Sequence, residues 1–271
     1  MIKKLFYLFI TCTVLSSCSP YQKALKKPDI AEKFRVGEEM YNKGKFAKAN
    51  KLFAQIVPNY RGKPQAEKLM FLYSKSFYEM EDYYLASYQF ERFASAYSQS
   101  EKVEEAAFLS GKSAYMLSPV YSKDQTETRD AIEKLQGFIN LYPESEFLPE
   151  ASNLVQELDF KLEKKAFEIA KQYNKIAGYT GDFDASIKAF DNFILDFPGS
   201  SFKEEAYYYK LDSAYHLAMN SIESKRKERL ENVKTHYNNY KKNYSNSERM
   251  QDANNMLEDV TKELEKYSTK S

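Results

Sequence analysis

Few residues of this 271-residue chain have the type and spacing to do chemistry. Gly111-Lys112-Ser113 has the ending of a phosphate-cradling loop. That loop needs another glycine five residues earlier, and the position holds Ala106. The segment also reads as helix interior, so nucleotide binding is not expected. His216 and His236 lie twenty residues apart, with no His-x-x-x-His pair and no cysteine cluster, which gives no zinc site. No nucleophile elbow is present. Glu38-Glu39 and Glu104-Glu105 read as solvated helix faces. So does Lys225-Arg226-Lys227, which sits among Glu223, Glu228 and Glu231. His236, Tyr237, Tyr240 and Tyr244 interleave with Lys241 and Lys242, a pattern that suits base stacking. Those rings, however, fall in a packing register described below. The expectation is a chain with no catalytic residues, no metal, no cofactor and no nucleic-acid partner.

Composition points the same way. Forty basic against 39 acidic residues give a net charge of +1. That is neither the basic footprint of a nucleic-acid binder nor an acidic tail. Eight glycines and eight prolines are too few for a turn-rich β-sandwich. Twenty-three Tyr and 19 Phe, with no Trp, can fill a large core.

The reactive residue is Cys18. Lys3 and Lys4 precede an apolar run, Leu5 to Leu15. Eleven residues are too short to span a bilayer, which takes about 20, but suit a secretory signal. Leu15-Ser16-Ser17-Cys18 then resembles the bacterial lipobox. Small residues there fit a peptidase cleft, and the thiol carries diacylglycerol. The resemblance implies residues 1–17 as signal peptide and acylated Cys18 as the mature N-terminus, anchored in the lipid bilayer. Several acyl chains, at roughly 0.8 kcal/mol per buried methylene, make such an anchor permanent. Cys12 leaves with the signal, so no disulfide is expected. Ser19, rather than Asp, implies an outer-membrane address facing the periplasm. Residues 18–30 read as a lipidated polar tether.

Beyond the tether the chain repeats. The aromatics Tyr60, Tyr97, Tyr142, Phe197 and Tyr244 each carry apolar residues four and seven positions earlier. Eleven positions earlier lie Ala49, Ala86, Ala131, Ser186 and Val233. Steps of four, three and four mark one helix face. After four of the five aromatics comes Ser or Pro, any residue, then Ser, which reads as a helix stop. Ser98…Glu101, Ser201…Glu204 and Ser245…Glu248 have capping-box spacing. Gly37 and Ala49 are small enough for close helix approach, with Gly44-Lys45-Phe46 as the turn between. Residues 118–128 hold an insertion, and Phe147 to Ala177 reads as one long helix or two. Asp252 to Tyr267 suits a capping helix.

The pattern resembles the tetratricopeptide repeat, with a lengthened period. The expected fold is an all-α tetratricopeptide superhelix of about five helical hairpins with a C-terminal capping helix. Repeats 1–3 are assigned to residues 31–145, and repeats 4–5 with the cap to 146–271. In such folds certain first-helix positions line a groove. Here they are Phe34, Glu38 and Tyr41, then Phe71, Lys75 and Tyr78, then Phe108, Lys112 and Tyr115. The rings suit an aromatic or β-prone peptide, and the lysines suit a terminal carboxylate. The alternative is that the rings are core packing.

Gly44-Lys45-Phe46-x-x-Ala49, Tyr60-Arg61-Gly62, the insertion Ser118-Pro119-Val120-Tyr121 and Phe138-Ile139-Asn140-Leu141-Tyr142-Pro143-Glu144-Ser145 sharpen the resemblance. Together they are similar to the BamD family of outer membrane protein assembly factors, in its Bacteroidetes branch. The resemblance implies a lipid-anchored scaffold of the barrel assembly complex. Its C-terminal repeats would dock the periplasmic domains of a BamA-like β-barrel insertase. Its N-terminal repeats, around Tyr60 and Gly62, would engage the C-terminal signals of nascent outer membrane proteins. Ala47 and Ala189 stand where some relatives carry basic residues. A different periplasmic tetratricopeptide lipoprotein, serving as an envelope or division adaptor, is the alternative.

Overall fold

The computed structural model describes residues 20–60 and 62–268. Twelve α-helices and one short 3-10 turn make up the regular structure among them. They are α1 (Pro20–Lys26), α2 (Ile30–Asn42), α3 (Phe46–Ile56), the 3-10 turn Val57–Tyr60, α4 (Ala66–Glu79), α5 (Tyr83–Ala96), α6 (Val103–Leu117), α7 (Thr126–Leu141), α8 (Leu148–Thr180), α9 (Phe183–Asp196), α10 (Lys203–Met219), α11 (Glu223–Asn243) and α12 (Met250–Ser268). No strand occurs among the described residues. The helices form hairpins α2–α3, α4–α5, α6–α7 and α10–α11, with the second half of α8 packed on α9 and α12 behind α11. This is an all-α, tetratricopeptide-like fold.

The repeating register is the core. Ala49, Phe53 and Ile56 are fully buried, as are Ala86, Phe90 and Phe93, and their equivalents in α7, α9 and α11. Each aromatic anchor ends its helix. Tyr97, Tyr142, Phe197 and Tyr244 have left the helical conformation, with φ of −125°, −130°, −125° and −139°. Gly37 and Gly111 permit close approach within their hairpins. A Cβ on Gly37 would lie 2.6 Å from the Phe53 ring, and one on Gly111 2.8 Å from Leu135. The insertion is folded: Ser118 and Thr128 hydroxyls are 2.7 Å apart, and buried Thr128 donates to Gln125.

Two expectations change. The serine triplets do not form capping boxes. Instead the anchor's carbonyl accepts from the N–H of the serine three residues on, as in Tyr97–Ser100 at 2.9 Å and Phe197–Ser200 at 3.1 Å. That turn aims the serine Oγ at the N–H two residues on: Lys102, Phe147, Phe202 and Arg249. Side-chain caps come from Asp29, Asp82 and Asp182, each accepting from the N–H three residues on. The tether, in turn, contains α1. Tyr21 and Ala24 bury against the first hairpin, so the polar stretch is helical from Pro20.

The chain divides into two compact units. The first holds residues up to 119 and 124–158, and its core runs through α1 to α7 and the start of α8. The second holds 120–123 and 159–271, with clusters about Phe167, Phe190 and Phe193 and about Leu211, Leu230 and Tyr240.

Candidate functional site

In the first unit the expected groove positions lie along the first helices α2, α4 and α6. Their phenylalanines turn inward, Phe34 and Phe108 buried in the core and Phe71 partly buried against it. Phe34 is 8% exposed and packs on Phe53 and Tyr60, with ring centroids 6.4 and 5.8 Å away. Phe71 meets Phe90 and Phe93 edge-on. Phe108, 2% exposed, stacks on Phe147 at 4.9 Å. Tyr60 is also buried, against Phe34. Gly62 sits in the following turn with φ +76°, a conformation open to glycine. A ladder of three exposed phenylalanines is therefore not present. The first-helix Phe supplies the ring that its hairpin partner's register needs.

The tyrosines and lysines hold the rim. Tyr41 lies edge-on to Phe46, and Tyr78 edge-on to Tyr83. Burial, reinforced by Glu79 and Glu105, pushes the Tyr41 hydroxyl up to about 12. It stays a neutral donor at any physiological pH. The lysines do not stand free. Lys75 pairs with Glu105 at 3.5 Å, and Lys112 with Glu150 at 2.6 Å. Lys68 pairs with Glu38. The Tyr115 hydroxyl donates to Glu157 at 2.5 Å, and that bond, with burial, pushes its pKa above the ordinary tyrosine value. Each bond links one first helix to the next. The row that was expected to receive a peptide is spanned by its own ion pairs.

The second unit offers a different surface, which the sequence reading did not single out. The far half of α8 has apolar residues on both faces. Phe167, Ala170 and Ala177 are buried toward α9 and α10. Ile169 and Ile176 are 45% and 46% exposed on the opposite side, and Tyr179 is 86% exposed. These line a cleft of about 940 Å³ with Tyr121, Lys165, Lys171, Lys175 and Tyr209. Tyr121 of the Ser-Pro-x-Tyr insertion is held there by the Lys164 ammonium, 4.7 Å from its ring centre. Lys165 donates to the Lys123 carbonyl. Tyr209 stacks on Phe190 at 5.9 Å, with Lys171 over its ring. The cleft thus has apolar and aromatic walls and a rim of three lysines with one acid, Glu168, a net positive lining that suits an extended or helical segment of a partner with acidic flanks. The signal for it was present: a helix apolar on two faces needs two partners.

No group of three metal-binding side chains occurs among the described residues, and none of their helices is long and apolar enough to cross a membrane. Cys18 lies outside the described residues.

The model of a family described as YfiO, outer membrane lipoprotein, matches residues 27–181. That span runs from the approach to α2 through the last residue of α8, and so takes in both the ion-paired row and the Ile169–Tyr179 face. The chain belongs to this family. A YfiO-family lipoprotein has an outer-membrane association. A relative in Aquifex aeolicus (strain VF5), a putative outer membrane protein assembly factor BamD, is 28% identical over 241 residues. The match covers 84% of this chain and 77% of the relative.

Proposed function

We propose that this lipoprotein is a periplasm-facing scaffold of outer-membrane β-barrel assembly. It holds the periplasmic domains of a BamA-like insertase and engages the C-terminal signals of nascent outer membrane proteins. Its work is to bind and position, not to transform. The observation that carries this reading is the 241-residue match to a protein named as an assembly factor, which extends well past the third hairpin into the second unit.

The cleft beside α8 supports placing the insertase on the second unit, because its apolar floor is the exposed surface that a partner would bury. The half-buried Tyr41, Tyr78 and Tyr115 support placing substrate on the first. A substrate carboxylate there displaces Glu105 from Lys75, or Glu150 from Lys112, so its affinity is the difference between two similar ion pairs. Weak, exchangeable capture suits a signal that must be handed on.

The test is a pull-down of the C-terminally tagged protein from outer membranes in mild detergent. A stoichiometric barrel protein with repeated periplasmic domains supports the proposal. Peptidoglycan or division proteins without such a barrel replace it with an adaptor role.

A further inference from the structure

Charge is unevenly spread along the chain. Residues 18–63 hold 11 basic and 4 acidic residues, a net +7. The remaining mature chain, 64–271, holds 27 basic and 35 acidic, a net −8. Much of the positive excess gathers around α1. Tyr21, Ala24 and Leu25 face the first hairpin, and at helical spacing this turns Lys23, Lys26 and Lys27 to the opposite side. All three are exposed. Beside them on α3 stand Lys48 and Lys51, also exposed. Lys48 is fixed next to α1 by its ammonium, 5.2 Å from the Tyr21 ring centre. Lys33 ties the two helices further, reaching the Leu25 carbonyl and the Gln55 side chain. None of Lys23, Lys26, Lys27, Lys48 or Lys51 forms an ion pair among the described residues. Glu32, whose carboxylate feels the Lys27 charge, is already held by two bonds from Arg35, and Asp29 accepts from the Glu32 N–H.

The position of this face matters as much as its charge. Pro20, the first residue of α1, lies two positions after the acylation site Cys18, with only Ser19 between. A chain extends at most about 3.6 Å per residue, so α1 begins within roughly 7 Å of the anchor. Helix α1 is itself packed into the first hairpin, so no slack remains to lift that hairpin from the bilayer. Lys23, Lys26 and Lys27 therefore lie within roughly 20 Å of the anchor, and laying α1 along the surface brings them inside the Debye length, about 8 Å at physiological salt.

We infer that the outer face of α1, with Lys48 and Lys51, docks on anionic phospholipid headgroups of the leaflet that holds the anchor. The contact orients the first unit against the membrane, and it rests on the lipidation of Cys18 rather than on the assembly role. Each lysine near an anionic surface multiplies partitioning about fivefold.

The experiment uses the mature chain with Cys18→Ser, so that the acyl anchor does not mask the headgroup term. Its sedimentation is measured with phosphatidylglycerol-containing vesicles and with phosphatidylcholine vesicles. The chain is expected to sediment with the anionic vesicles alone and to be released by high salt. The triple variant Lys23→Gln/Lys26→Gln/Lys27→Gln should lose roughly a hundredfold in partitioning, with unchanged helicity and melting temperature. Lys225→Gln/Lys227→Gln/Lys241→Gln, on α11, should lose nothing. Equal binding of wild type and α1 variant, binding blind to lipid charge, or an equal loss in the α11 variant overturns the inference. So does an α1 variant that keeps vesicle binding but loses an acidic protein from the pull-down, since the face then belongs to a protein. The pull-down of the insertase reads the assembly role independently of all these outcomes.

Discussion

The two units use one packing register and differ in what their outer surfaces carry. In the first, the exposed edges of the first helices are joined to one another by Lys68–Glu38, Lys75–Glu105, Lys112–Glu150 and Tyr115–Glu157. In the second, bonds between first helices also occur, as from Asn174 to Asp212 and from Tyr215 to Asp259. There, however, α8 also leaves Ile169, Ile176 and Tyr179 uncovered. A repeat register fixes what faces the neighbouring helix and says nothing about what faces outward. The inner face is therefore predictable from periodicity, and the outer face carries the difference in role.

If the inner faces are equivalent, the largest losses should be equal in the two units. Phe90 and Phe190 are both fully buried in matching positions. Replacing either with alanine should cost about 3–5 kcal/mol in denaturant unfolding. A cost below 1 kcal/mol at one site alone would break the equivalence. The outer faces should then separate the units. Ile176→Asp alters a half-exposed residue, so stability should hold, while recovery of the insertase in the pull-down should fall about tenfold or more. Tyr78→Ala should weaken binding of a barrel C-terminal peptide and leave the insertase in place. Insertase loss in Tyr78→Ala, with retention in Ile176→Asp, would reverse the assignment of the units.

A finer test lies in the turns. Gly44, Glu81 and Gly181 occupy the same left-handed position after the first helix of their hairpins, with φ of +67°, +61° and +79°. Glycine adopts this freely, and glutamate does not. Glu81→Gly should therefore raise stability by about 1 kcal/mol, read as a higher melting temperature. A fall would mean that the Glu81 side chain stabilises the turn by more than its backbone costs. Lys112→Met should cost less than about 1 kcal/mol, since the Lys112–Glu150 pair is half in water.

The sequence made the hairpins legible because burial acts on helix spacing. Phe53, Phe90, Leu135, Phe190 and Tyr237 each recur seven residues before an aromatic, and all are buried. The groove was less legible for a reason specific to Phe34, Phe71 and Phe108. A template assigns a helix position to a surface, but ring size decides whether the neighbours close over it, and phenylalanine drew Tyr60, Phe93 and Phe147 onto itself. The capping boxes misled because Ser98 and Ser201 have the right spacing to Glu101 and Glu204, while the turns at Tyr97 and Phe197 deliver Ser100 and Ser200 instead. The α8 cleft could have been read from Ile169 and Ile176, seven apart and on the far side of the helix from Phe167. Tyr121, by contrast, comes to it from a loop about fifty residues away, and no local pattern announces that contact.

The smallest expected effect also tests the second unit alone. His236 on α11 is partly buried, and burial, together with the nearby Lys210 ammonium, holds its imidazole below the ordinary value of 6.5, against an opposing pull from Asp191. The unfolded chain has no such environment and takes up its proton near 6.5. Between that value and the lower folded one, the unfolded state binds more protons, so stability must fall as pH falls. Above 6.5 both states are neutral at this site and the term is constant. Below the folded value both are charged and the loss is complete. Melting temperature should therefore decline on acidification through pH 6.5, and His236→Gln should flatten that part of the curve while leaving carboxylate titration at lower pH in place. An unchanged slope in the variant would show that burial and Lys210 do not hold the His236 imidazole below its ordinary value in the folded second unit.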